Sequence, residues 1–174
     1  MSTDWARVYS STYQDVVRFL YRKVWDADRA QDLAQETFVR CLREADTRRI
    51  ENERAFVFTI ANNLARDEAR TVLRRKKHLA LLKSDAESAQ AAGPDVTEEL
   101  ERARRIATVE SALAELSERD REVLLLWDAG LSYPEIASQT GLAIGAIGTT
   151  LSRARRRLVD AYEDIERQKH VAHR

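Results

Sequence analysis

Apolar side chains recur at spacings of three and four through most of this chain, and that period belongs to helices that each bury one face. It is plainest over residues 4–24, where Trp5, Val8, Tyr9, Thr12, Val16, Phe19, Leu20 and Val24 form one stripe. The same spacing predicts a second helix over 28–45. Ala30, Leu33, Ala34, Thr37, Phe38, Cys41 and Leu42 would face inward, and Asp32, Gln35, Glu36, Arg40 and Arg43 outward. Asp46–Glu53 lacks the period and reads as a loop. Asn52 can then cap a third helix running to Lys77, with Phe56, Ile60, Ala61, Leu64 and Ala65 on its buried side. Strand and hairpin signals are absent, so the expected fold class is all-α.

A break follows. Residues 84–97 include Ala91-Ala92-Gly93-Pro94 and little that could pack, while 84–101 hold six acidic groups and no basic one. Such a stretch reads as a flexible linker over 84–97, joining two small helical domains, 1–83 and 98–174. The formal net charge of the 174 residues is zero, which by itself argues against nucleic acid, because phosphate binding draws on Lys and Arg. The balance is segmental, however. Residues 1–80 carry 16 basic and 12 acidic groups, and Arg74-Arg75-Lys76-Lys77 and Arg153, Arg155, Arg156 and Arg157 form two basic clusters. At helix ends such clusters also complement the helix dipole, so the neighbouring motifs must decide.

Several classes drop out on composition. The single cysteine, Cys41, allows neither an internal disulfide nor a Cys-based zinc site, and the three histidines lack ligand spacing. No metal and no cofactor are expected. Neither a nucleophile–base pair nor a phosphate-cradling glycine loop is visible, which points away from an enzyme. No apolar run approaches the roughly 20 residues of a membrane span, and Met1-Ser2-Thr3-Asp4-Trp5 lacks signal-peptide character, so the expectation is a cytoplasmic chain without membrane insertion.

The last third is densely punctuated. After a helix over 97–115 that would bury Leu100, Ile106, Val109 and Leu113, Ser117 and Asp120 stand at N-cap and N3 spacing before Val123-Leu124-Leu125-Leu126-Trp127, and Gly130 ends that helix. Ser132 and Glu135 repeat the capping pattern at once. Ile136 and Ala137 face inward, and Gly141 stops a helix of barely two turns. Gly141-Leu142-Ala143-Ile144 makes a sharp turn into a last helix with Ile147, Leu151, Ala154 and Leu158 on its apolar side. This is helix-turn-helix spacing, in which the second helix enters the major groove of duplex DNA. Thr149, Thr150, Ser152, Arg153 and Arg156 are its outward candidates, and Arg153, able to grip guanine with two hydrogen bonds, is the best single base reader among them.

These residues resemble region 4 of the extracytoplasmic-function (ECF) sigma factors of the sigma-70 superfamily. The resemblance rests on Leu116-Ser117-Glu118-Arg119-Asp120-Arg121-Glu122-Val123, Gly130-Leu131-Ser132-Tyr133-Pro134-Glu135-Ile136-Ala137 and Leu151-Ser152-Arg153-Ala154-Arg155. Upstream, Asp32-Leu33-Ala34-Gln35-Glu36-Thr37-Phe38-Val39-Arg40 resembles the core-binding helix of region 2, and Ala55 through Asp67 its promoter-melting helix.

The resemblance implies a dissociable subunit of RNA polymerase, with region 2 over 1–83 and region 4 over 98–174. Asp32, Gln35, Glu36 and Arg40 would bind core polymerase. Phe56, Asn62, Asn63, Arg66, Arg70 and Arg74 would meet promoter DNA at the minus 10 element, and the helix-turn-helix would read the minus 35 element. An anti-sigma factor would restrain it.

Two departures stand out. Arg29 and Gln31 replace acidic residues common in the family, which thins the expected acidic patch, and phosphorylation of Thr or Ser near helix two is one way to restore the charge. Gly148-Thr149-Thr150 lacks two basic side chains usual there, so minus 35 binding should be weak and lean on Arg153, Arg155, Arg156 and the polymerase. The rival readings are a dimeric regulator binding palindromic DNA unaided and a helical adaptor that never reads DNA. The first is disfavoured by the two upstream blocks, the second by Arg153–Arg157 beside the turn glycine.

Overall fold

The structure, a computed structural model, describes residues 3–47, 49–82 and 97–172. Among the described residues there are seven helices and no strand: α1 Trp5–Val24, α2 Ala27–Ala45, α3 Glu53–Leu82, α4 Thr97–Ala114, α5 Glu118–Asp128, α6 Tyr133–Thr140 and α7 Ile144–Ala172. They divide between two compact units, Met1–Asp95 and Val96–Arg174. The linker expected over 84–97 lies outside the described residues except for Thr97, which opens α4.

In the first unit α1, α2 and α3 pack pairwise against one another. Local chemistry sets their ends. The Asp4 and Asp26 carboxylates accept from the backbone N–H groups of Arg7 and Arg29, at 3.1 and 2.9 Å, and so cap α1 and α2. Asn52 caps α3 in the same way, accepting from the Ala55 N–H at 2.9 Å. Trp25 closes α1 in the left-handed region at φ 55°, an unusual place for so large a side chain. It is held there by its N–H donating to the Tyr21 carbonyl and by its ring meeting the Tyr21 ring edge-on at 5.5 Å.

The core gathers Val16, Phe19, Leu20, Ala30, Leu33, Ala34, Phe38, Cys41, Val57, Phe58, Ile60, Ala61 and Leu64, with Phe19 and Phe58 edge to face at 5.4 Å. Two expectations fail here. Leu42 is 49 % exposed and Tyr9 44 % exposed, because each lies at the margin of its stripe, where three helices do not suffice to cover it.

The second unit is built around α7, which contacts α4, α5 and α6, while α5 also packs on α6. Leu113, Leu116, Val123, Leu124, Leu125, Leu126, Leu131, Ile136, Ile147, Leu151 and Ala154 form its core. Gly130 at φ 88° and Gly141 at φ 72° take the left-handed conformation that ends α5 and α6 without a Cβ penalty. On α4 the buried face is Thr108, Ala112 and Leu113. Leu100 and Val109, expected inside, are instead exposed. The helix turns Thr108 inward, where it lies between Glu166, at 3.0 Å, and Lys169 of α7.

Candidate nucleic-acid interface

The helix-turn-helix forms as its spacing implies. Glu135 reaches back to accept from the Ser132 N–H at 2.7 Å and closes a capping box at the start of α6. Gly141 turns the chain, and α7 begins at Ile144. The outward candidates on α7 then separate. Thr149, Ser152 and Arg156, at spacings of three and four, are all exposed and share one face. Thr150 is buried at 6 % exposure beside Ile147 and Leu151, so it belongs to the packing side and is withdrawn as a DNA contact.

Arg153 does not project free either. Its Nη2 donates to Asp120 Oδ1 at 2.7 Å and its Nε to Oδ2 at 3.4 Å, while Arg157 Nη1 donates to the same Oδ2 at 3.0 Å. Asp120 is 1 % exposed, and the two arginines, Arg153 foremost, hold its carboxyl below the usual carboxylate range. The Asp120 backbone N–H does bond the Ser117 hydroxyl, at 3.1 Å, but its carboxylate turns to α7 instead of closing a second capping box. Arg155 lies over the Trp127 ring, 3.9 Å from its centroid. Only Arg156 of this cluster makes no ion pair or ring contact among the described residues.

On α3 a second polar stripe emerges. Asn63, Arg66, Arg70 and Arg74 recur at spacings of three and four, with Asn63 and Arg66 within 3.5 Å of each other and Arg70 loosely paired to Asp67 at 3.6 Å. Arg75, Lys76 and Lys77 extend the exposed basic run. Asn62 and Phe56, expected at the same DNA, are 1 % and 8 % exposed. Both lie on the side of α3 that packs into the bundle, and the Phe56 ring tilts against Trp5 at 6.3 Å. Neither can meet a duplex without unpacking the core.

The outer face of α2 carries Asp28, Asp32, Gln35, Val39 and Leu42, all exposed. Glu36 and Arg40 pair along the helix at 2.7 Å, and that bond lowers the Glu36 carboxyl. Arg29 does not thin the acidic patch in the expected way. Its Nε and Nη2 donate to the two carboxylate oxygens of Glu68 on α3, both at 2.7 Å, so its charge is answered locally. The Thr37 hydroxyl is buried and donates to the Leu33 carbonyl at 2.7 Å, which withdraws the one hydroxyl of α2 as a modification site. Among the described residues no group of three or more His, Cys, Asp or Glu could hold a metal ion.

Family models match both halves: Sigma-70 region 2 over residues 8–76 and Sigma-70, region 4 over 106–158. An ECF RNA polymerase sigma factor, EcfG of Rhodopseudomonas palustris (strain TIE-1), is 35 % identical over 151 residues, covering 80 % of this chain and 77 % of its own. The chain belongs to the ECF sigma factors of the sigma-70 family.

The RNA polymerase sigma factor YlaC of Bacillus subtilis (strain 168) is 29 % identical over 150 residues, covering 85 % of this sigma factor and 86 % of itself. Among solved structures, the sigma factor RpoE of Bartonella quintana, crystallised with the anti-sigma factor NepR, superposes with a TM-score of 0.69 at 25 % identity over 92 % of this chain and 97 % of that one. The sigma factor thus directs RNA polymerase to promoters. Its sequence pattern did not reveal Asp120 and Trp127 as partners of the α7 arginines, nor Val39 and Leu42 as part of the exposed α2 face. Asp120 fits a capping pattern equally well, and a lone Trp at a helix end reads as core.

Proposed function

We propose that region 2 spans the first unit and region 4 the second, and that the two exposed stripes divide promoter recognition between them. Asn63, Arg66, Arg70 and Arg74 meet the minus 10 element, with Arg75–Lys77 continuing along the backbone. Thr149, Ser152 and Arg156 lead α7 into the major groove at the minus 35 element, with the exposed Arg153 and Arg155 beside them. Asp32, Gln35, Glu36 and Arg40, with Val39 and Leu42 alongside, dock on core polymerase through mixed polar and apolar contacts. The α3 stripe is the strongest support, because a helix needing only to fold has no reason to align the exposed Asn63, Arg70 and Arg74, with the half-buried Arg66 between them, along one side.

The chain itself catalyses nothing in this reading. Nucleotide addition belongs to the polymerase, and the sigma factor acts beside it in the cytoplasm. An anti-sigma factor holds it inactive, as NepR is seen bound to the Bartonella relative. The test is reconstitution with bacterial core polymerase on duplexes randomised over the two promoter elements and joined to a fixed transcribed sequence. Sequenced transcripts should show two preferred elements at a constant separation. Replacing Arg66 and Arg70 by Ala should abolish transcription while leaving polymerase co-purification intact. Failure of the intact chain to bind core polymerase would overturn the reading.

A further inference from the structure

Three of the four arginines on α7 between residues 153 and 157 are held by α5. The Asp120 carboxylate, almost wholly buried, binds Arg153 through two nitrogens and Arg157 through one. At the other end of α5, the half-exposed Trp127 ring carries the Arg155 guanidinium. The α5 helix thus grips α7 on both flanks of its outward face, one flank through a carboxylate and the other through an aromatic face.

We propose that Asp120 and Trp127 are positioning residues for minus 35 recognition: from α5, without touching a base edge, they fix Arg153 and Arg155 in place before DNA arrives. The proposal rests on the assignment of α7 to the minus 35 element. An arginine free in water must surrender its rotamers to bind, whereas one already fixed on a carboxylate or ring gives up less, by about two- to twelvefold in affinity per side chain. The Asp120 charge has a second effect. It offsets the pull of Arg153 and Arg157 on phosphates of any sequence, so it disfavours binding in the wrong register. Asp120 therefore raises selectivity while lowering indiscriminate attraction. A residue that merely stabilised the fold would move both in the same direction.

That opposition is the test. The full chain is bound to core polymerase, and the holoenzyme is equilibrated with a duplex library randomised over the minus 35 segment, the bound fraction being sequenced. For Asp120→Asn, the enrichment of preferred over average sequences should fall by about two- to twelvefold. Binding to scrambled duplex should tighten, with a steeper salt dependence. Asp120→Glu should restore most of the enrichment. Trp127→Leu, which leaves the Asp120 pair intact, should lower enrichment as well, and Trp127→Phe should recover part of it.

Unchanged enrichment in both Asp120→Asn and Trp127→Leu, or a parallel loss of preferred and scrambled binding, overturns the positioning role alone. A wild-type holoenzyme that shows no preference over the randomised segment overturns the minus 35 assignment and the proposal with it.

Discussion

The Arg29–Glu68 bridge offers the sharpest energetic test in the first unit. Both bonds are 2.7 Å, in parallel bidentate geometry, yet the two side chains sit in different surroundings: Arg29 is 44 % exposed and Glu68 only 17 %. Exposed pairs contribute about 0.2–1 kcal/mol, and removing one partner of a buried pair costs about 3–5 kcal/mol. The arginine end is screened by water and the glutamate end much less, so a double-mutant cycle over Arg29→Ala and Glu68→Ala should give a coupling of about 1–2 kcal/mol.

Cys41 supplies the assay. It is the only cysteine, it is fully buried, and burial pushes its thiol up to about 12, so it should react with a thiol reagent only when the first unit unfolds. Pulse labelling along a urea series then reads that unit by itself. Arg29→Ala should lower the midpoint by on the order of 1 M. The pH dependence has a defined sign. Arg29 lowers the Glu68 carboxyl, so the bridge contributes fully above the unfolded carboxylate value, about 4.3. That contribution fades as pH falls through the depressed folded value, and in Arg29→Ala this part of the acid loss should disappear. A coupling below about 0.3 kcal/mol would refute the reasoning. So would an Arg29→Ala protein of unchanged stability that binds polymerase more tightly, since that is the behaviour of a cation that merely dilutes an acidic patch.

Three further outcomes are expected. Glu135→Ala opens the capping box at the head of α6 and should cost about 1 kcal/mol, read from Trp127 fluorescence in a Trp5→Phe, Trp25→Phe background where it is the only tryptophan. The glycines should divide in the same assay. A Cβ at Gly145 meets nothing within 4 Å, so Gly145→Ala should stabilise α7 by about 0.5–1 kcal/mol, whereas Gly141→Ala forces a side chain to φ 72° and should destabilise by about 1–2 kcal/mol. On α3, Arg70→Ala and Arg74→Ala should each flatten the plot of log affinity against log salt by about 0.9 for holoenzyme on its selected promoter, while Asn63→Ala should shift sequence preference instead.

What the sequence could specify, and what it could not, follows from the range of each signal. Caps, turn glycines and the apolar period act over a few residues, so α1 to α3, the Ser132–Glu135 box and the α6–α7 turn were legible. Side-chain fate across helices was not. Thr150 and Asn62 are polar and sit one position from exposed neighbours, and only the packing angle of their helices decides that they go inside. Asp120 obeys a local capping rule at Ser117, and nothing nearby announces that arginines 33 and 37 residues later will take its carboxylate. Arg29 looked like a lost negative charge because Glu68, 39 residues on, is brought opposite it only by the α2–α3 contact.

These pairings also explain how a chain of zero net charge can serve at a promoter. Affinity for duplex DNA grows with the number of phosphates neutralised, each steepening the salt dependence by about 0.9. On α7 the buried Asp120 carboxylate offsets Arg153 and Arg157, which leaves Arg155 and Arg156 as the arginines of the cluster without a carboxylate partner among the described residues, so this helix alone can neutralise few phosphates. Weak binding of that kind suits a subunit whose delivery depends on the polymerase. Tethering supplies a high effective concentration at the promoter, and low intrinsic attraction keeps the free chain from lingering on random DNA. Under the proposed assignment, the exposed Arg70 and Arg74 of α3, with only a loose Arg70–Asp67 pair at 3.6 Å among the described residues, are left to hold the strands once they part. On that proposal, selectivity in α7 and grip in α3 are separate physical tasks, each matched to how its arginines are partnered.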